Sequence, residues 1–163
     1  MKLYIVRHGR SVDAAYGIPD ALRHLTAKGR ERFRDTVQAA RREGMSVDAI
    51  FCSPLVRAVQ TADLLAEGLR FGGEVVAATE LATGLFREDL AGFLEQQGSP
   101  SSVALVGHNP YLSRLATELM GSEGIISMKK GAIAAFELSS DLVRKGATLL
   151  WMLADGRKEN PFG

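Results

Sequence analysis

The chain carries short apolar runs at Leu3–Val6, Ala49–Cys52, Glu74–Ala78, Val103–Val106, Ala132–Leu138 and Thr148–Leu153. Most of them do not alternate apolar with polar residues. A strand with one face in water alternates; a strand buried on both faces does not. Stretches with helical periodicity lie between most of the runs. Buried strands alternating with helices predict a mainly parallel sheet covered on both sides, a three-layer α/β/α sandwich.

The helical stretches have readable ends. Thr26 is placed to cap a helix running to about Glu43, with Gly44 as its stop. Phe33, Val37 and Ala40 share one face of it, and Arg30, Arg34, Arg41 and Arg42 lie mainly on others. Ser53 reads as the cap of a second helix, with Pro54 at its first position. Leu55, Ala58, Ala62, Leu65 and Leu69 form that helix's apolar stripe. Gly84-Leu85-Phe86 leads into a third, with Leu90, Phe93 and Leu94 inward and Gly98 at its end. Asn109-Pro110 opens a fourth, with Asn109 as its cap and Leu112, Leu115, Ala116 and Leu119 inward, ending at Gly121. The link from Ser139 to Ala147 is short and polar, so the last two strands are expected to form a hairpin and the sheet to be mixed. Residues 9–25 form a long connection, and long loops are commonly functional. Asp155–Gly163 shows no pattern and is expected to be a mobile tail.

Composition narrows the class. A chain of 163 residues, 46% hydrophobic, is expected to be one domain (1–163) with a core that needs neither disulfide nor structural metal. The single cysteine, Cys52, fits a reducing compartment. A net charge of +1 gives no global signal for nucleic acid, so any positive field must be local. The run before Arg7 is too short for a signal peptide, and no apolar stretch approaches the roughly 18 residues of a membrane span. The expectation is a soluble cytoplasmic protein with no nucleic-acid or membrane partner.

The ends of three strand-like runs carry unusual residues. Leu3–Val6 is followed by Arg7-His8-Gly9. Ala49–Cys52 is followed by Ser53-Pro54 and a helix bearing Arg57. Val103–Val106 is followed by Gly107-His108-Asn109-Pro110. Ligands of open α/β sheets bind outside the carboxyl ends of the strands. Arg57, in a first helical turn, opposes the helix dipole unless an anion sits there. Arginine forks suit phosphate oxygens, and a neutral histidine is a competent nucleophile toward phosphorus. Arg7, His8, Arg57 and His108 together therefore predict a site that grips and transfers a phosphoryl group.

Arg7-His8-Gly9, the block from Ser53 to Ala62 (SPLVRAVQTA) and Gly107-His108-Asn109-Pro110 resemble the signature of the histidine phosphatase superfamily, in order and over nearly the whole chain. The small size and the Leu25-Thr26-Ala27-Lys28-Gly29 segment resemble its SixA-type phosphohistidine phosphatase branch. The resemblance implies a phosphoglycerate mutase-like fold. It implies that His8 attacks phosphorus and is transiently phosphorylated, that Arg7 and Arg57 hold the phosphoryl oxygens, and that His108 donates to them. No cofactor or metal is implied. Other members draw a proton donor from a longer middle segment, which is short here. Glu80 is the leading candidate acid, with Asp13 and Asp20 behind it; Ser11 is a further candidate phosphate ligand. A weak acid hurts an alkyl ester more than phosphohistidine, whose imidazole leaves readily, so the substrate is expected to be phosphohistidine on a protein.

Rival readings are a small-ester phosphatase, a non-catalytic module for phosphorylated ligands, a metal site and a cysteine phosphatase. The metal site is disfavoured because His8, His24 and His108 show no close ligand spacing. The cysteine mechanism is disfavoured because Cys52 and Arg57 are separated by four residues, one fewer than that class uses. Cys52 reads instead as a buried inert thiol. Loops 10–25 and 122–131 are expected to line the approach, and Lys129 and Lys130 are candidates for meeting an acidic partner.

Overall fold

The computed structural model describes residues 1–121, 124–140 and 146–163. Strands β1 (Lys2–Arg7), β2 (Ala49–Cys52), β3 (Val75–Ala77), β4 (Ser102–Gly107), β5 (Ile133–Leu138), β6 (Ala147–Ala154) and β7 (Arg157–Lys158) form one sheet in the order β3-β2-β4-β1-β5-β6-β7. Parallel pairing joins β3 to β2, β2 to β4 and β4 to β1. Antiparallel pairing joins β1 to β5, β5 to β6 and β6 to β7. The sheet is therefore mixed, and the expected hairpin is β5–β6. Residues 141–145 of its connection lie outside the described residues.

Helices α1 (Ala27–Arg42) and α2 (Val56–Leu69) cover one face. Helices α3 (Glu80–Thr83), α4 (Arg87–Gln96) and α5 (Tyr111–Met120) cover the other. Strand β1 shows why its sequence does not alternate. Leu3 and Ile5 enter the α4/α5 core, while Tyr4 and Val6 enter the α1/α2 core. Both sets are apolar because both faces are covered.

Three details differ from the sequence reading. Helix α2 starts at Val56, with Leu55 rather than Ser53 at the cap position. The strand ladder reaches past β2: the Ser53 N–H donates to the Val106 carbonyl (2.9 Å) and holds Ser53 extended. Its hydroxyl takes the Leu55 N–H (3.3 Å), a local turn ahead of the helix. The short helix α3 had no periodicity to reveal it; a single buried side chain, Leu81, anchors it. The patternless C-terminal stretch carries β7, too short for any periodicity to register.

The register sets up the site. Arg7 pairs with Gly107 and Cys52 with Val106, so β1, β2 and β4 end level with one another. The next residues, His8, Ser53 and His108, emerge together at the carboxyl edge. Helix α1 locks the loop after β1 from behind. The Thr26 N–H donates to the Arg10 carbonyl (3.0 Å), and the Thr26 hydroxyl caps α1 by accepting the Gly29 N–H (2.9 Å). A Cβ at Gly29 would collide with the Arg10 backbone, which accounts for the glycine in that segment.

Candidate active site

His8 and His108 stand with ring centroids 5.0 Å apart, tilted by 53°. Both are buried, as is Arg57, in a region flanked by Arg7. His8 Nδ1 lies 2.7 Å from the Gly9 carbonyl oxygen. A carbonyl only accepts, so Nδ1 carries the ring proton and Nε2 keeps its lone pair. His108 Nε2 lies 2.7 Å from Ser53 Oγ. Ser53 is fully buried and its hydroxyl has no other acceptor among the described residues, so its proton is assigned to Nε2 and the His108 proton to Nδ1. Among the described residues, the buried side-chain polar atoms without a partner are His108 Nδ1 and Arg7 Nε. Buried orphans are costly unless something fills them. Two unpartnered buried donors on the candidate residues are suited to an anionic ligand. One terminal nitrogen of Arg7 donates to the Met128 carbonyl (2.7 Å).

Both histidines are neutral at pH 7. Burial lowers the His8 pKa to about 3; the Gly9 bond opposes this, and His108, Arg57 and Arg7 reinforce it. Burial lowers that of His108 to about 4, with Arg57 next in effect and Asp20 opposing. These values predict acid sensitivity. The unfolded histidine binds its proton near pH 6.5 and the folded one does not, so this stability is full above 6.5 and is lost as pH falls toward 4. Between pH 6.5 and 5 the loss is roughly 1–2 kcal/mol for each histidine, nearly equal because both folded pKa values lie below 5. Thermal melts at pH 7 and 5 are expected to show a smaller drop in His8→Ala/His108→Ala than in wild type. Equal drops would refute the assignment.

Arg57 faces the first loop. It donates to the Asp20 carbonyl (2.8 Å) and to Asp20 Oδ2 (3.3 Å). Arg23 donates to Asp20 Oδ1 (3.0 Å), to the Val12 carbonyl (2.8 Å) and to Ser11 Oγ (3.3 Å). The Arg23 bond, then Arg57, holds the Asp20 carboxyl below its ordinary range. Asp20 is thus a carboxylate resting on Arg57, poorly suited to donate a proton. Ser11 is buried and bridged to Leu25, its hydroxyl taken up with Arg23.

Residues of the motif block that the sequence reading left without a role hold the site together. Thr61, one turn beyond Arg57, donates to the Arg57 carbonyl (2.7 Å) and accepts the Gly9 N–H (3.0 Å). Gln60 Oε1 accepts the Leu25 N–H (2.8 Å). Together they staple the loop after β1 onto α2. Their position within a motif was the available signal, and polar side chains in a helix facing a loop explain it. Helix α5 has Pro110 rather than the expected Asn109 at its cap position; Asn109, one residue earlier, accepts from the Ser113 N–H (3.3 Å) and hydroxyl (3.0 Å).

Other candidates stand apart. Glu80 is exposed, its Oε2 3.5 Å from the Thr79 hydroxyl, and it is not among the charges acting on His8 or His108. Asp13 and His24 are exposed. Cys52 is buried and burial pushes its thiol up to about 11, far from a thiolate nucleophile. Lys129 pairs with Glu159 (2.6 Å). In loop 122–131, Met128 supports Arg7 and Asn109, while 122 and 123 lie outside the described residues. Among the described residues no cluster of His, Cys, Asp and Glu is arranged to hold a metal, and no helix is long and apolar enough to cross a membrane.

Paired histidines between arginines at the carboxyl edge of an α/β/α sheet define a phosphoryl-handling class of protein. The chain belongs to the histidine phosphatase superfamily: residues 3–83 match the family description "Histidine phosphatase superfamily (branch 1)". An uncharacterized protein of Picosynechococcus sp. (strain ATCC 27264 / PCC 7002 / PR-6) is 32% identical over 148 residues, covering 81% of this chain and 87% of that one. The structure of the protein histidine phosphatase SixA complexed with tungstate superposes with a TM-score of 0.81 at 24% identity, covering 95% of this chain and 97% of the other. The alpha-ribazole phosphatase from Shigella flexneri does so with a TM-score of 0.68 at 20% identity, over 91% and 94%. At these identities the structural likeness is one of fold, and the fold is the phosphoglycerate mutase-like one that the sequence predicted.

Proposed function

We propose that this protein is a metal-independent phosphohistidine phosphatase acting on a phosphorylated protein. The observation that carries the reading is the fixed tautomer of His8, whose Nδ1 proton is held by Gly9 while Nε2 stays unprotonated beside Arg7, Arg57 and His108. Nε2 attacks phosphorus, the substrate P–N bond breaks, and the leaving imidazole keeps the bonding pair and takes a proton from solvent water. Arg7 and Arg57 neutralise the phosphoryl oxygens, with Asp20 displaced from Arg57 as the anion enters. His108 Nδ1–H donates to the same oxygens. Water then attacks phospho-His8, the P–Nε2 bond breaks with its pair returning to Nε2, and inorganic phosphate leaves while one proton returns to solvent. Positioning and charge stabilisation are what phosphoryl transfer requires.

The substrate class rests on the acid. Asp20, the carboxylate seated on Arg57, is held ionised, and Glu80 lies outside the histidine pair. A site without a ready acid favours a leaving group that departs easily, and an imidazole does so better than an alkoxide. The SixA neighbour, solved with the tetrahedral oxyanion tungstate, supports the same reading. The alpha-ribazole phosphatase neighbour keeps a small ester as the second reading. Phosphate release from a phosphohistidine protein and from an aryl phosphate, with and without chelator, separates them. The expected result is a preference for phosphohistidine of tenfold or more in kcat/KM, indifferent to chelator. A preference for the ester would select the second reading.

A further inference from the structure

We propose that a basic cavity beside the nucleophile loop binds an acidic segment of the protein substrate, next to its phosphohistidine. This rests on the phosphohistidine reading above. The cavity, of about 300 Å³, is lined among others by Gly9, Arg10, Arg32, Lys129, Lys130 and Asp155. A second one adjoins it across the shared residues Arg10 and Lys130, and Ser11, Thr26 and the acidic residue Asp13 also line it. Arg7, His8, Arg57 and His108 line neither, so an anion bound there is not the transferred phosphoryl group.

The charge around the first cavity is unbalanced. Lys129 is matched by Glu159 at 2.6 Å, and Arg32 lies 3.9 Å from Asp155. Arg10 and Lys130 are exposed, and among the described residues neither side chain has an ion-pair or hydrogen-bond partner. In a chain of net charge +1 this is a local positive field, the kind that steers and selects an anionic partner.

Both cations are mounted on backbone tied to the nucleophile. The Arg10 carbonyl is bonded by Thr26, and Gly29 packs against the Arg10 backbone. Lys130 precedes Gly131, whose N–H bonds to the carbonyls of Arg7 (3.2 Å) and His8 (2.9 Å). Each cation therefore projects from a point held at a fixed offset from His8. Because Arg10 and Lys130 front two adjoining cavities, the fitting ligand has carboxylates spread along a chain rather than a single small anion.

The test uses two phosphohistidine peptides, one flanked by glutamates and one by lysines, with phosphoramidate as a small P–N substrate. Wild type is expected to favour the acidic peptide by tenfold or more at low salt, with the preference shrinking as salt rises. Arg10→Glu/Lys130→Glu is expected to abolish or invert the preference and to leave phosphoramidate hydrolysis unchanged; Arg10→Gln/Lys130→Gln is the milder check. Binding of a fluorescent, unphosphorylated glutamate-flanked peptide, read by anisotropy, is expected to weaken tenfold or more in both variants. Equal turnover of both peptides by wild type overturns this inference and leaves the phosphohistidine reading standing. If no P–N substrate turns over but an aryl phosphate does, the phosphohistidine reading fails. The proposed protein-substrate role of the cavity fails with it, and the anisotropy shows only whether an acidic peptide binds there.

Discussion

His8→Ala is expected to lose turnover by about ten-thousandfold or more, while keeping its fold and its affinity for phosphate. The size follows from the role. Loss of a nucleophile removes the whole two-step path, because no other group is placed to form the intermediate, whereas loss of a single stabilising donor leaves the path in being. The alternatives at hand are poor. His108 Nε2 is engaged by Ser53 at 2.7 Å, and the Cys52 thiol is buried with its pKa raised to about 11. Arg7, Arg57 and His108 are untouched by the change, so phosphate binding measured by calorimetry is expected to stay within a few-fold of wild type. Turnover that persisted in His8→Ala with unchanged affinity would transfer the nucleophile role to water, and the variant would then be a direct-attack enzyme.

Arg57→Ala is expected to lower kcat/KM by about a hundred- to a thousandfold, the usual cost of one preorganised donor to a charged transition state. Arg57 is buried and its backbone is held by Thr61, so the guanidinium is fixed before the substrate arrives. The partners of its side chain among the described residues belong to Asp20, which a phosphoryl group approaching Arg57 would have to displace. Arg57→Lys is expected to recover only part of the loss, since an ammonium supplies the charge without the fork that reaches two oxygens. Steady-state kinetics on both variants checks this. A loss of less than tenfold in Arg57→Ala would place the arginine outside the reacting group and make its contact with Asp20 its main role.

The sheet, most of the helices and the meeting of His8, Arg57 and His108 beside Arg7 at one edge were legible because they rest on strong local signals. Apolar runs without alternation gave the doubly covered strands, and polar residues at their ends gave the edge where the site lies. What was not legible depends on contacts between distant segments. Ser53 looked like a helix cap because Ser-Pro before an apolar stripe is a good local signal; the parallel ladder with β4 overrides it and turns its hydroxyl toward His108. Asp20 was a secondary candidate acid in the first loop, with a solvated carboxylate as its plainer reading. Only the folded loop shows Arg23 and Arg57 holding it ionised. Thr61 and Gln60 could be seen as part of a motif but not as staples, since their partners Gly9 and Leu25 lie 52 and 35 residues away in sequence. Helix α3, of four residues, and strand β7, of two, span about one period each, too little for a pattern to repeat.

The most direct test of the central claim, that phosphate passes through His8, is the stereochemical course at phosphorus. A thiophosphohistidine substrate made chiral with oxygen isotopes would be hydrolysed and the configuration of the released thiophosphate determined. Two in-line displacements, first by His8 and then by water, predict overall retention. Inversion would mean a single direct attack by water, and would contradict the account however the variants behaved.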